Sequence, residues 1–191
     1  MQEIIPHAGL IRKVWIAEAE RYREHLLRLD KASRRSRFGG AVADETVRRH
    51  ADLAFGMGHV VHGFFADGIL RGAAELRTFA GALAREAEAA FSIEQRWQSH
   101  GVGSALLERT LLAARNRGIK FLHLECLADN ARMQQLARKF DAELSFDFGS
   151  VVGEVTTPSA TPLSLMREIL VDGHGFATAL LDVQSRLLKP V

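Results

Sequence analysis

The 191-residue chain contains a single cysteine, Cys126. No intrachain disulfide can form, so the fold must hold by packing alone, as suits a reducing cytoplasm. Long apolar runs are missing as well: none approaches the roughly 20 residues needed to cross a bilayer, and MQEIIPHAGLIRKVW lacks a secretory apolar core. A cytoplasmic protein without a membrane partner is expected. Charge of one sign is also scarce. A net charge of +2 is too small to argue for nucleic acid, although a pI near 9.0 suits an anionic cofactor. Proline occurs four times, twice in TTPSATP, the one linker-like stretch. Tyrosine occurs once, at Tyr22, which restricts where a phenolic acid could come from. What remains is 47% hydrophobic and 25% charged, the balance of a soluble globular chain long enough to close one core, without repeats or low-complexity tracts.

The patterning predicts alternating strands and helices. A short strand is expected around Leu10 to Ile16, then a helix over EAERYREHLLRLD with Tyr22, Leu26 and Leu29 on one face. KASRRSRFGGAVAD reads as a basic loop, and Asp44 as the N-cap of a second helix through ETVRRHADLAFGM. Asp67-Gly68 divides two apolar runs into a hairpin, and REAEAAFSI adds a third strand after a polar-alanine turn. A helix carrying Val102, Leu106, Leu107, Thr110, Leu111 and Ala114 should close at Gly118, followed by the strand IKFLHLEC. The next helix is expected from Asp129, burying Met133, Leu136, Ala137 and Phe140, with a last hairpin around Gly149-Ser150. From Pro162 an amphipathic pattern runs through Met166, Ile169, Leu170, Phe176, Leu180, Val183 and Leu187, interrupted by Gly173 and Gly175.

Between strand and helix stands EQRWQSHGVGSALLE. Its Gly101 and Gly103 could serve merely as a tight turn. A dinucleotide fingerprint is a second reading, with Glu125 about where a ribose-binding acid belongs. It is opposed by Leu106 at the third glycine position, by the residues separating Ile93 from Gly101, and by at least three strands preceding the motif. A helix N-terminus with approachable backbone amides suits a pyrophosphate in any case, at about 0.3 to 1 kcal/mol per charge.

Gln98-Ser99-His100-Gly101-Val102-Gly103 matches Q/R-x-x-G-x-G/A, and together with AEAAFSI and LHLECLADN it resembles the GNAT N-acetyltransferase superfamily from about Val60 to Val155. The flavour is closest to bacterial protein-lysine acetyltransferase domains. The resemblance implies an α/β (α+β) GNAT acyl-CoA N-acyltransferase fold: a mixed, mostly antiparallel sheet of about seven strands flanked by helices. It divides the chain into a GNAT domain over 1–156 and a C-terminal amphipathic helical extension over 157–191. It also implies acetyl-CoA as co-substrate and an amine as acceptor. Phe91, Ser92 and Ile93 would meet the pantetheine through their backbone, Ser99, His100, Gly101, Val102, Gly103 and Ser104 would hold the pyrophosphate after Gln98, and Asn130 would bind the pantetheine arm. His100 stands where the family often has arginine or lysine, so backbone contact or a solvated loop are its two readings.

Transfer to a primary amine needs a base. An amine with pKa near 10.4 is neutral in only about one molecule in 2,500 at pH 7, equivalent to roughly 4.6 kcal/mol, whereas a thiolate leaves more readily. Glu88 resembles the family's fourth-strand base and Glu125 its fifth-strand base; Glu88 is preferred, against a strand-edge carboxylate as its bland alternative. Ala137 departs from the pattern, since many members carry a general-acid tyrosine there. That departure motivates an alternative function, an acetyl-CoA-binding regulatory or sensor module. Cys126 reads as a buried strand residue rather than an acyl carrier. His59 and His62, three apart on a strand, point to opposite faces, so no metal is expected. Arg34 to Arg37 read as a solvated run. The C-terminal stretch either packs on its own domain or forms a homodimer, with the dimer preferred.

Overall fold

The computed structural model describes residues 9–79 and 85–187. A seven-stranded sheet in the order β1-β2-β3-β4-β5-β7-β6 organises the chain. Its strands are β1 (Leu10–Val14), β2 (Val60–Ala66), β3 (Ile69–Thr78), β4 (Glu86–Ile93), β5 (Phe121–Leu127), β6 (Glu143–Asp147) and β7 (Ser150–Thr156). Neighbouring strands pair antiparallel except β4 and β5, which run parallel. The helices are α1 (Ala19–Arg28), α2 (Lys31–Phe38), α3 (Asp44–Leu53), α4 (Val102–Asn116), α5 (Ala131–Lys139) and α6 (Pro162–Leu187).

Asp67 and Gly68 both have positive φ, at 52° and 69°. They make the twisted two-residue turn that a right-handed hairpin prefers. β2 is buried along its whole length. One face packs Val61 and Phe65 against Tyr22, Leu26, Val47 and Ala51 of α1 and α3. On the opposite side Leu107, Ala113 and Ala114 of α4, with Ala137 of α5, pack on Leu76, Ala87, Ala89, Leu122 and Leu124, while Leu106 packs on Ile11, Phe64 and Ala74. Both faces are covered there, so the apolar run is nearly continuous rather than alternating.

Several expectations are corrected. The basic loop is largely a helix, α2, because the Asp30 carboxylate accepts from the amides of Ala32 and Ser33 at 3.0 Å and nucleates its first turn. Asp44 is the first residue of α3, with Ala43 at the N-cap. α5 begins at Ala131 rather than Asp129, since Asn130 supplies the cap to Met133 N at 3.2 Å. β1 stops at Val14, and a 3-10 turn follows over Ile16–Glu18. Gly118 lies just past the α4 C-cap with φ of 73°. α6 continues through Gly173 and Gly175; a Cβ on Gly175 would stand 3.0 Å from Arg12 Cβ, so this glycine lets α6 approach β1. The turn expected at 80–84, and the side chains of Phe176, Leu180, Val183 and Leu187, lie outside the described residues. No helix among the described residues is long and apolar enough to cross a membrane.

Candidate active site

β4 and β5 pair only over Glu86–Glu88 and Phe121–His123, and then part. On its other side β4 stays paired to β3 as far as Ile93 opposite Gly72. From Ala89 onward the β5-facing edge of β4 therefore carries no strand, although it lies inside the sheet. Backbone donors and acceptors on such an edge are available to an extended ligand.

The chain leaves β4 through a 3-10 turn, Gln95–Trp97, and returns to α4 through Ser99 (φ 61°) and Gly101 (φ 81°). Left-handed residues at short intervals turn successive amides toward one point, and the first amides of a helix have no carbonyl within it. Gly101 at the N-cap offers no side chain to occupy them. Gly103 faces Leu136 Cδ2 and Ile93 Cδ1, which a Cβ would meet at 3.4 and 3.5 Å, an ordinary contact distance.

A cavity of about 460 Å³ connects these features. Phe91, Ser92, Ile93, Gln98, Ser99, Gly101, Gly103, Ser104 and Asn130 line it. Val102 is buried in the core beneath α4, at 1% exposure, and does not line it. His100 is exposed, with Nδ1 2.6 Å from the carbonyl of Gln98, and lies outside the lining. Gln98 acts as a latch: its amide donates to Ile93 O at 2.8 Å and Ser33 Oγ at 3.0 Å, and its Oε1 accepts from Arg132 at 2.6 Å. Asn130 Oδ1 is used in capping α5.

Sequence reasoning missed part of this wall. Ser33 and Ser36 come from α2, while Arg132 and Lys139 come from α5. Lys139 donates to Ser104 Oγ at 2.9 Å, placing a cation beside the first turn of α4. The available signal was the spacing Arg132, Gln135, Lys139, a polar stripe at i, i+3 and i+7 that runs beside the apolar face of α5.

Neither candidate base lines the cavity. Glu88 is half-buried on β4, opposite Arg77 on β3 and His123 on β5. Glu125 is exposed on β5, opposite Val152 of β7. Alternation puts Leu122, Leu124 and Cys126 inward and leaves His123 and Glu125 on the face that Glu88 shares.

That face continues into a buried charge cluster. Glu75, 1% exposed, accepts from Tyr22 Oη at 2.9 Å, Arg37 at 2.5 Å and Arg77 at 2.7 Å, and lies 2.9 Å from His50 Nε2. Burial alone would raise its carboxyl; the bond from His50 and the charges of Arg37 and Arg77 instead hold it well below the usual carboxylate range. The arginine run is thus not uniformly solvated, because the Arg37 side chain is 7% exposed and paired to Glu75. Tyr22 is occupied by Glu75, and burial, then the Glu75 charge, push its hydroxyl pKa up. Ala137 is core, and a Cβ on Gly153 would meet its Cβ at 3.2 Å. Cys126 is buried, and burial followed by the charges of Glu125 and Asp129 raises its thiol. No cluster of three metal-type side chains occurs among the described residues.

The model of the acetyltransferase (GNAT) family matches residues 25–142. Among solved structures, the GNAT domain of PAT from S. lividans is 27% identical, covers 78% of this chain and 90% of its own, and superposes with a TM-score of 0.66. yncA from Salmonella typhimurium, solved with its cofactor acetyl-CoA, is 17% identical over 81% of this chain and 97% of its own, with a TM-score of 0.60. The ribosomal-protein-S18-alanine N-acetyltransferase from Escherichia coli is 16% identical with the same coverages, 81% and 97%, and a TM-score of 0.60. No curated protein sequence matches significantly.

Proposed function

The chain belongs to the GNAT acetyltransferase family, and on that premise we propose that it binds acetyl-CoA in the β4/β5 cleft and transfers the acetyl group directly to a primary amine. The observation that carries this reading is the parting of β4 from β5 beside the amide-rich start of α4, with both joined in one 460 Å³ cavity. Pantetheine is an extended chain with amides, which suits the open edge of Phe91, Ser92 and Ile93. Pyrophosphate suits the turn from Ser99 to Ser104, with Lys139 and Arg132 supplying positive charge. Asn130 faces the same space from the start of α5. The acetyl-CoA named with yncA supports the same cofactor here.

Glu88 is the proposed base. It is half-buried, near enough to Arg37 to interact with its charge, and central on the face where β4 and β5 diverge. Glu125 is the competing candidate. The acceptor class is a protein lysine or a small-molecule amine, and the resemblance of AEAAFSI, with its Glu88, to the fourth strand of protein-lysine acetyltransferases favours protein lysine. An amine-dependent thiol-release assay, with mass spectrometry of the acetylated product, tests the reading. Glu88→Gln is expected to lower kcat by at least about 100-fold while acetyl-CoA affinity stays within about threefold. Full activity in Glu88→Gln together with loss in Glu125→Gln would move the base to β5. The second reading, a binding module without efficient transfer, is favoured by the buried Ala137 and corresponds to tight acetyl-CoA binding with no amine-dependent thiol release. Assembly belongs to the same proposal: α6 exposes Leu163, Met166, Ile169 and Leu170 at 59 to 76%, a face suited to a second copy of the chain.

A further inference from the structure

Three side chains without a role in the scheme above form a row that begins at the cavity wall. Ser92 lines the cavity, yet it is 4% exposed, and its Oγ lies 2.9 Å from Nε2 of His25 on α1. His25 is completely buried. Its Nδ1 makes no hydrogen bond, and the nearest carboxylate oxygen, Glu94 Oε1, is 3.5 Å away. Glu94 accepts in turn from Arg28 Nε at 3.1 Å and from Arg71 at 2.9 Å. Burial works against its charge, but the neighbouring His25 ring and the bonds from Arg71 and Arg28 hold its pKa down at about 2.

The polarity of this row follows from its charges. Nε2 lies 2.9 Å from Ser92 Oγ and 3.3 Å from Ser92 O, and we assign the ring proton to Nδ1, beside the carboxylate, so that Nε2 accepts from the nearer hydroxyl. Burial first, and the Arg28 charge with it, lower the pKa of His25, while Glu94 and Ser92 oppose them. The ring therefore rests neutral, able to take a proton and to return it. A hydroxyl, an imidazole and a carboxylate in this order can move protons, and the hydroxyl end belongs to the cavity-lining segment on which the pantetheine arm is placed above.

We propose that Ser92, positioned by His25 and Glu94, is the proton shuttle of acetyl transfer. The inference rests on the acetyl-CoA reading given above. A primary ammonium must lose two protons to become an amide. The first leaves through Glu88 to solvent. The neutral amine then forms a C–N bond to the thioester carbon, giving an adduct with positive nitrogen and negative oxygen. Ser92 Oγ accepts the second proton from that nitrogen as its own proton passes to His25 Nε2. The reverse movement places a proton on the sulfur as the C–S bond breaks and the carbonyl re-forms. The products are the amide, free coenzyme A and one proton, with no covalent intermediate on the protein and no redox change.

The test uses the near-isosteric pair Ser92→Thr and Ser92→Val, with His25→Gln, in the full-length protein, with folding checked by thermal melting. Ser92→Thr retains a hydroxyl and is expected to keep kcat within about fivefold. Ser92→Val is expected to lose 10- to 100-fold in kcat, roughly the lower range for proton transfer by a positioned side chain, with acetyl-CoA Kd within about threefold. The wild-type kcat falls on the acid side as the imidazole protonates among Glu94, Arg28 and Arg71. Ser92→Val and His25→Gln should lose that imidazole limb and keep only the acid limb of Glu88, a change that a packing role alone would not produce. Equal kcat for the threonine and valine variants, or an unchanged acid limb in both Ser92→Val and His25→Gln, overturns the shuttle. So does an acetyl ester on Ser92 in acid-quenched protein, which would make it a nucleophile. Failure of the wild type to bind acetyl-CoA overturns the underlying reading instead, and the shuttle with it.

Discussion

Glu75 shows why a carboxylate can be charged in a core. Its two oxygens are bonded by Arg37, Arg77 and Tyr22, with His50 alongside, so the charge is neutralised in place. Removing that charge while leaving Arg37 buried is costly. Glu75→Gln should destabilise the fold by about 3 to 5 kcal/mol in a denaturant titration, and an effect below about 1 kcal/mol would contradict the account. Glu75 and Glu94 both have folded pKa values below their unfolded ones. Their contributions are therefore fully present above the ordinary carboxylate pKa of about 4.3 and are lost as pH falls through the folded values, for Glu94 down to about 2. Stability measured from pH 5 downward should fall, and the Glu75→Gln variant should lose less of it over that window. This cluster was illegible in the sequence, because Arg37 and Glu75 are 38 positions apart and an arginine run looks solvated when only its neighbours are in view.

At the scale of elements, the legible parts are those whose physics is local. The α4 helix announces both ends. Gly101 opens it, and Gly118 closes it through bonds from Gly118 N to Arg115 O and Ile119 N to Ala114 O, both 3.1 Å. Gly118→Ala forces a side chain into a φ of 73° and should cost about 1 kcal/mol in a thermal melt, with acetyl-CoA binding unchanged. The strand-turn-helix that lines the candidate cleft was legible for the same reason: Phe91 to Ser104 is one continuous stretch. α2 was not, since KASRRSRF has too few apolar residues to show a periodic face. Its arginines find partners on other elements instead, Arg34 with Asp44, Arg35 with Asp129 and Arg37 with Glu75. Ser33, Arg132 and Lys139 reach the cavity for reasons of tertiary placement that no spacing in the cofactor motif encodes. The continuity of α6 through Gly173 and Gly175 likewise depends on its packing against β1 and α4, with Asn116 and Arg117 bonded to Glu168.

Across the whole molecule, one sheet runs through all seven strands and opens between β4 and β5 beyond Glu88. β1 to β4 carry α1 and α3 on one face, β5 to β7 carry α5, and α4 spans the junction where β4 and β5 part. α6 bonds to α4 through polar residues while Leu163, Met166, Ile169 and Leu170 stay exposed. Sedimentation velocity at micromolar protein should therefore report a dimer, and Ile169→Glu with Leu170→Glu should convert it to monomer; a wild-type monomer would refute this assembly. The cleft itself is the centre of the account, and titration calorimetry with acetyl-CoA reaches it most directly. Wild-type protein should bind one equivalent per chain. Gly103→Asp should weaken that binding at least about tenfold without lowering the melting temperature, because a carboxylate in the first turn suits the helix but repels a pyrophosphate. Absence of acetyl-CoA binding by the wild type, or equal binding by Gly103→Asp, would contradict it.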